Sequence, residues 1–150
     1  MHLVTGINHV AVLTEDLDRF VSFYREVFEL DLVFEETTPA FRHAILRIGP
    51  DSWLHPAEVA GSPDATASAA QFARGHLDHL GLTAPSAEAF AAVRSRLLAR
   101  GASDGAVDDL GAFHSLWFVD PDGLQVELVV VVDASLGDIH APRPLERAPA

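Results

Sequence analysis

The segment Ile7-Asn8-His9-Val10-Ala11-Val12-Leu13-Thr14 returns seventy positions later as Leu77-Asp78-His79-Leu80-Gly81-Leu82-Thr83-Ala84. In each copy a histidine stands third in an apolar, strand-like run, and an amphipathic helical pattern follows. The register holds beyond the histidine: Phe20 and Phe90, Val27 and Leu97, and Phe28 and Leu98 keep the same offset. A repeat of this length marks a duplicated supersecondary module rather than a short solenoid unit. Two such modules related by a pseudo-two-fold bring equivalent strands together, so that histidines far apart in the chain can share one site.

The modules are expected over 6–59 and 76–132, joined by a linker over 60–75 that is rich in Ala, Ser and Gly, all within one domain over 1–133. In the first, Thr14-Glu15-Asp16 supplies capping and acidic residues for a helix start. Leu17, Phe20, Val21, Tyr24, Val27 and Phe28 then recur at the spacing of one buried helical stripe. Strands are expected over 31–35, 41–48 and 52–59, with Gly49-Pro50-Asp51 as the turn between the last two. In the second module Ser86 is the N-cap, Ala87, Phe90, Val93, Leu97 and Leu98 form the stripe, and Gly101 stops the helix. A weak strand near 106–108 and stronger ones over 114–119 and 124–132 follow, the last two separated by Asp120-Pro121-Asp122-Gly123. Residues 134–150, with three prolines and no sustained periodicity, read as a mobile tail or an arm on a partner subunit. Each half is therefore β-α-β-β-β, with one sheet face covered by its helix.

The formal net charge of −12 in 150 residues argues against nucleic acid as a partner, because phosphate neutralisation needs Lys and Arg. No apolar run approaches the roughly 20 residues that cross a bilayer, and the first residues lack the basic and apolar regions of a signal peptide. With no cysteine there is no disulfide or thiolate chemistry, which fits a cytoplasmic protein.

Side chains alternate faces along a strand, so Val10 and Val12 should face the helix while His9 and Ala11 face the other, concave side. The same rule sends Leu80 and Leu82 to the helix and His79 with Gly81 to the concave side. In the last strand Val126, Leu128 and Val130 make one face and Gln125, Glu127 and Val129 the other. If the concave faces meet, His9, His79 and Glu127 converge. Two neutral imidazoles and one carboxylate suit a divalent ion such as Fe, Mn, Ni, Co or Zn and leave positions open for substrate. Taken singly, each of these residues is more often structural. The shared repeat position of the histidines, and a carboxylate placed on an otherwise apolar strand, make the joint case.

These stretches (7–30, 77–101 and the Asp-Pro-Asp-Gly turn with Leu124-Gln125-Val126-Glu127-Leu128) resemble the vicinal oxygen chelate superfamily. That family includes glyoxalase I, extradiol dioxygenases, methylmalonyl-CoA epimerase and the fosfomycin and bleomycin resistance proteins. The resemblance implies an α+β fold of two tandem β-α-β-β-β modules forming a cupped mixed sheet around one metal ion, with His9, His79 and Glu127 as ligands. It also implies a small substrate and, with the exposed sheet edges, a homodimer. Members similar to glyoxalase I take a fourth ligand from the last strand of the first module. Counting from the paired turns points to His55 in Trp53-Leu54-His55-Pro56, with Glu58 as second choice. The two stand an odd number of residues apart, so a regular strand does not turn both to one face, although Pro56 can disturb the alternation.

The function implied is a metal-dependent isomerase or lyase acting on a substrate that chelates the ion through adjacent oxygens, with Glu127, His55 and Glu58 as candidate catalytic groups. An Fe(II) extradiol-type dioxygenase is the alternative, but the tyrosine three residues before the Asp-Pro turn in that pattern is here Trp117, and His114 stands too close to fit it. A non-catalytic binding protein of the bleomycin-resistance kind is the third reading. His43, His114, Phe41, Phe113, Trp53 and Trp117 are candidates to line the cup, although core packing or surface exposure is the commoner role of each. His76 and His140 read as surface residues.

Overall fold

A computed structural model describes residues 7–62, 77–135 and 139–146, and divides the chain into two compact units, Met1–Ser68 and Ala69–Ala150. The first unit runs β1 (His9–Thr14), α1 (Leu17–Phe28), β2 (Asp31–Thr37), β3 (Arg42–Gly49) and β4 (Ser52–Glu58). The second runs β5 (Leu80–Thr83), α2 (Ala87–Ala99), β6 (Val107–Gly111), β7 (Phe113–Val119), β8 (Gln125–Val131) and β9 (Ile139–Glu146). Both are β-α-β-β-β, as the repeat predicts, and the second carries one strand more. Most of the expected linker, with His76, lies outside the described residues.

In the first sheet the order is β1-β4-β3-β2, with β1 parallel to β4 and the other neighbours antiparallel. In the second it is β5-β8-β7-β6-β9, again with only the first pair parallel. The sheets are mixed and the fold is α+β. The first strand of each module thus lies beside its last strand, which carries each histidine segment next to the strand of His55 or of Glu127.

Each helix is set by its cap. Asp16, in extended conformation, accepts the Arg19 N–H at 2.9 Å, and Ser86 accepts the Ala89 N–H at 3.2 Å. The sequence stripe of α1 is buried up to Val27, with Phe23 added and Phe28 half-buried, and the helix covers β3 and β4. The sheet side of that core is Ala44, Leu46 and Leu54, all fully buried. In the second unit α2 lies on β8, whose buried residues are Val126, Leu128 and Val130. The Asp-Pro-Asp-Gly turn has a specific cause: the buried Asp120 carboxylate accepts the backbone N–H groups of Asp122 and Leu124, both at 2.9 Å. Gly123, at φ 88, takes the conformation that L side chains resist.

The segment expected to be a tail or an arm is instead β9 over 139–146. It pairs antiparallel with β6, placing Pro144 opposite Asp108 and Arg143 opposite Asp109, where Arg143 Nη2 meets Asp109 Oδ2 at 3.1 Å. Its prolines hide it from a reading of composition, since proline is depleted in strands, yet an outermost strand tolerates the lost donors. The side chain of His140 lies outside the described residues.

Candidate functional site

The face away from the helix carries His9 and His55 on the first sheet, and His79 and Glu127 at the second. In β1 the exposed residues His9, Ala11 and Leu13 alternate with the more buried Val10, Val12 and Thr14. In β8 Val126, Leu128 and Val130 are buried, while Gln125, Glu127 and Val129 are only half-buried on the opposite face. The parallel pairing then fixes an equivalence. Ala11 is the register partner of His55, and Gly81, seventy positions on from Ala11, is the partner of Glu127. His55 and Glu127 therefore occupy the same place in the two modules, each beside a residue too small to cover it.

In the second unit His79 Nε2 and Glu127 Oε2 stand 3.7 Å apart. The other atoms of both groups are occupied: His79 Nδ1 is 2.8 Å from Asp78 Oδ2, and Ser115 Oγ donates to Glu127 Oε1 at 2.5 Å. A carboxylate only accepts, so His79 donates from Nδ1 to Asp78, and its Nε2 is the nitrogen turned toward Glu127. Trp117 stands directly across from Glu127, with its ring centroid 4.8 Å from that of His79. An open groove of ≈ 450 Å³ adjoins it, lined among others by Ser103, Trp117, Val119 and Gln125.

In the first unit His9 and His55 face each other with ring centroids 5.8 Å apart. His9 Nδ1 is 2.9 Å from the Asn8 side-chain oxygen, so it too donates from Nδ1 and leaves Nε2 open. Asn8 and Asp78 are repeat partners, and the duplicated Asx-His dipeptide is thus a duplicated device for fixing an imidazole. His55 Nε2 lies 2.9 Å from His43 Nδ1, and His43 Nε2 lies 3.1 Å from Glu36 Oε2. Burial, then the nearby His43 and His9, hold His55 below the usual imidazole range and favour its neutral form, the one able to ligate. Phe34 and Phe41 flank His43, at centroid distances of 5.5 and 5.0 Å.

Glu58, the second choice for a fourth ligand, is engaged on the helix side. Its Oε2 accepts the Leu17 N–H at 2.8 Å and lies 3.5 Å from Arg42 Nη1, so it caps α1. It shares strand parity with the buried Leu54 and Pro56, and Pro56 does not upset the alternation. His114 shares parity with the buried Leu116 and Phe118, away from Glu127. Two residues gain a place here that the sequence does not signal. His43 stands in the sequence only among general lining candidates, and nothing there marks Ser115. Their register positions are equivalent, since His43 pairs with Ala57 and Ser115 with Val129, each two residues beyond the candidate ligand on the last strand.

Among the described residues of either unit, no three His, Asp or Glu side chains gather closely enough to hold an ion alone. Each unit offers a pair. The donor chemistry of the pairs fits a divalent ion: imidazoles with an open nitrogen, and a carboxylate oxygen 3.7 Å from one of them, within reach of two bonds of about 2.1 Å.

Residues 6–128 match the Glyoxalase/Bleomycin resistance protein/Dioxygenase superfamily. The chain belongs to that superfamily. Among solved structures, a domain of this superfamily from Frankia sp. EAN1pec aligns with TM-score 0.71 and 21% identity over 87% of this chain and 95% of that one. The trypanothione-dependent glyoxalase I of Leishmania major gives 0.59 and 20%, over 85% and 87%. A fosfomycin resistance protein of Listeria monocytogenes, in complex with Mn(II) and sulfate, gives 0.60 and 14%, over 85% and 93%. These likenesses establish the fold. A comparison with curated proteins gives no significant match. No helix among the described residues is long and apolar enough to cross a membrane.

Proposed function

We propose that the protein is a divalent-metal-dependent isomerase or lyase of the glyoxalase kind, with His9, His55, His79 and Glu127 as the ligand set. The observation that carries this reading is the shared register position of His55 and Glu127, each accompanied by a histidine from the neighbouring parallel strand segment. A Mn(II) complex of a protein with the same fold supports it. A divalent ion in this set supplies Lewis acidity to adjacent substrate oxygens and lowers the pKa of the neighbouring C–H.

The chain's own residues do the rest. His9 and His79 offer Nε2 because Asn8 and Asp78 hold Nδ1. Ser115 anchors one oxygen of Glu127 and leaves the other for the ion or for a substrate proton. Trp117 gives an apolar wall beside His79 and Glu127 that suits a small, partly apolar substrate. Its indole N–H donates but cannot accept a proton, which favours this reading over ring-cleaving dioxygenase chemistry. Glu58, committed to the α1 N-terminus, is left out of the set.

Elemental mass spectrometry on protein purified without chelator or added metal tests this, for wild type, His79→Ala and Glu58→Ala. About one ion per chain is expected in wild type and in Glu58→Ala, and none in His79→Ala. Iron directs the next assay to catechols with O₂, and nickel, cobalt, zinc or manganese to isomerase substrates. No ion after reconstitution with each metal sinks the catalytic reading and leaves a ligand-binding protein.

A further inference from the structure

The row Glu36, His43, His55 crosses the first sheet from its β2 edge inward. Glu36 and His43 are direct register partners, and His43 reaches diagonally to His55 on β4. Its hydrogen bonds have one consistent direction when the rings are neutral. Glu36 can only accept, so His43 carries its proton on Nε2 and presents a bare Nδ1. That lone pair must then accept from His55, whose proton is on Nε2 and whose Nδ1 is bare. His9 and His79 are wired in the opposite sense, each protonated on Nδ1.

We infer that His43, oriented by Glu36, is a positioning residue that fixes His55 in the Nε2–H tautomer, so that His55 meets the metal through Nδ1 while His9 and His79 meet it through Nε2. The inference rests on the metal-binding reading above. His43 is held rigidly enough to select a tautomer, since its side chain is 15% exposed and sits between Phe34 and Phe41. The counterpart in the second unit is Ser115, which pins Glu127 from the equivalent register position. Both modules thus hold the ligand on the last strand by a polar side chain on the strand before it. The carboxylate needs only a hydroxyl donor, whereas an imidazole, having two distinct nitrogens, needs a partner that selects between them.

The deciding experiment is long-range ¹H–¹⁵N correlation of the histidine rings at about pH 8, where imidazoles are neutral, in metal-free protein and after adding Zn²⁺. Metal-free wild type should show His55 protonated at Nε2 and His9 and His79 at Nδ1. Zn²⁺ should shift Nδ1 of His55 and Nε2 of the other two. His43→Ala should mix the His55 tautomers and weaken Zn²⁺ binding about 10- to 100-fold. His43→Asn, which keeps an acceptor oxygen where Nδ1 stood, should restore both. A His55 protonated at Nδ1 in metal-free wild type, or one unaffected by His43→Ala, overturns the inference. The expected tautomers with no Zn²⁺ bound to wild type overturn the metal-binding reading, and with it the ligand role of Nδ1.

Discussion

Helix α1 buries Leu17, Phe20, Val21, Phe23, Tyr24 and Val27, whereas α2, at the same place in the second module, buries Phe90 and Leu97. The rings of Phe20 and Tyr24 lie 4.7 Å apart and those of Tyr24 and Phe28 5.7 Å, an aromatic cluster without a counterpart on the alanine-rich α2. The first helix is held by packing. The second leans more on the intrinsic helix propensity of Ala87, Ala89, Ala91, Ala92 and Ala99. The helix-free faces differ too: one presents a ring-rich histidine row, the other a carboxylate, a hydroxyl and an indole. Duplication preserved the strand register and the Asx-His dipeptide, while the packing and the donor atoms diverged around them.

The largest expected effect separates the helices. Phe20→Ala should cost toward the upper end of about 3–5 kcal/mol, because it removes a fully buried ring and its aromatic contact. Phe90→Ala should fall at the lower end. Urea unfolding followed by circular dichroism measures both, and equal losses would break the contrast.

A second comparison concerns the supports of the ligand residues. Ser115→Ala removes the hydrogen bond to Glu127 Oε1, and titration calorimetry should find divalent metal affinity lowered about 10- to 100-fold with the fold intact. An unchanged affinity would make Ser115 an ordinary sheet residue.

The smallest effect is on pH dependence. The folded state holds His55 below the usual imidazole range, chiefly by burial. On acidification the unfolded chain therefore binds the proton first. His55 contributes no penalty above the unfolded value near 6.5, and stability falls as pH drops from there toward the lower folded value. The urea midpoint of metal-free protein should decline more steeply below about pH 6.5 in wild type than in His55→Gln. Parallel declines would remove His55 as the cause.

Much of this is legible in the chain. The repeat, both N-caps and the alternation that turns His9, His79 and Glu127 away from the helices depend on local spacing, which a sequence displays directly. His43 and Ser115 depend on which residue lies diagonally across a hairpin, and the hairpins differ. β3 and β4 are joined by Pro50-Asp51, while the β7–β8 connection spans 120–124, so no single count from the turns aligns them. The choice between His55 and Glu58 needs the register with β1 and the sight of Glu58 on the Leu17 amide. β9 is hidden for a different reason: its prolines break the composition of a strand without preventing it from lying on an edge.

Those prolines also bear on how the second sheet limits its own extension. Strand edges invite other chains to add to them, and long unprotected ones seed sheet growth from molecule to molecule. The outermost strand of the second sheet contains Pro142 and Pro144, which have no amide hydrogen to offer a newcomer, and Arg143 between them is largely exposed, at 71% for its side chain. A strand of that composition completes the sheet on one side and resists extension on the other, so that flank is guarded against aggregation by the residues that made it hard to recognise.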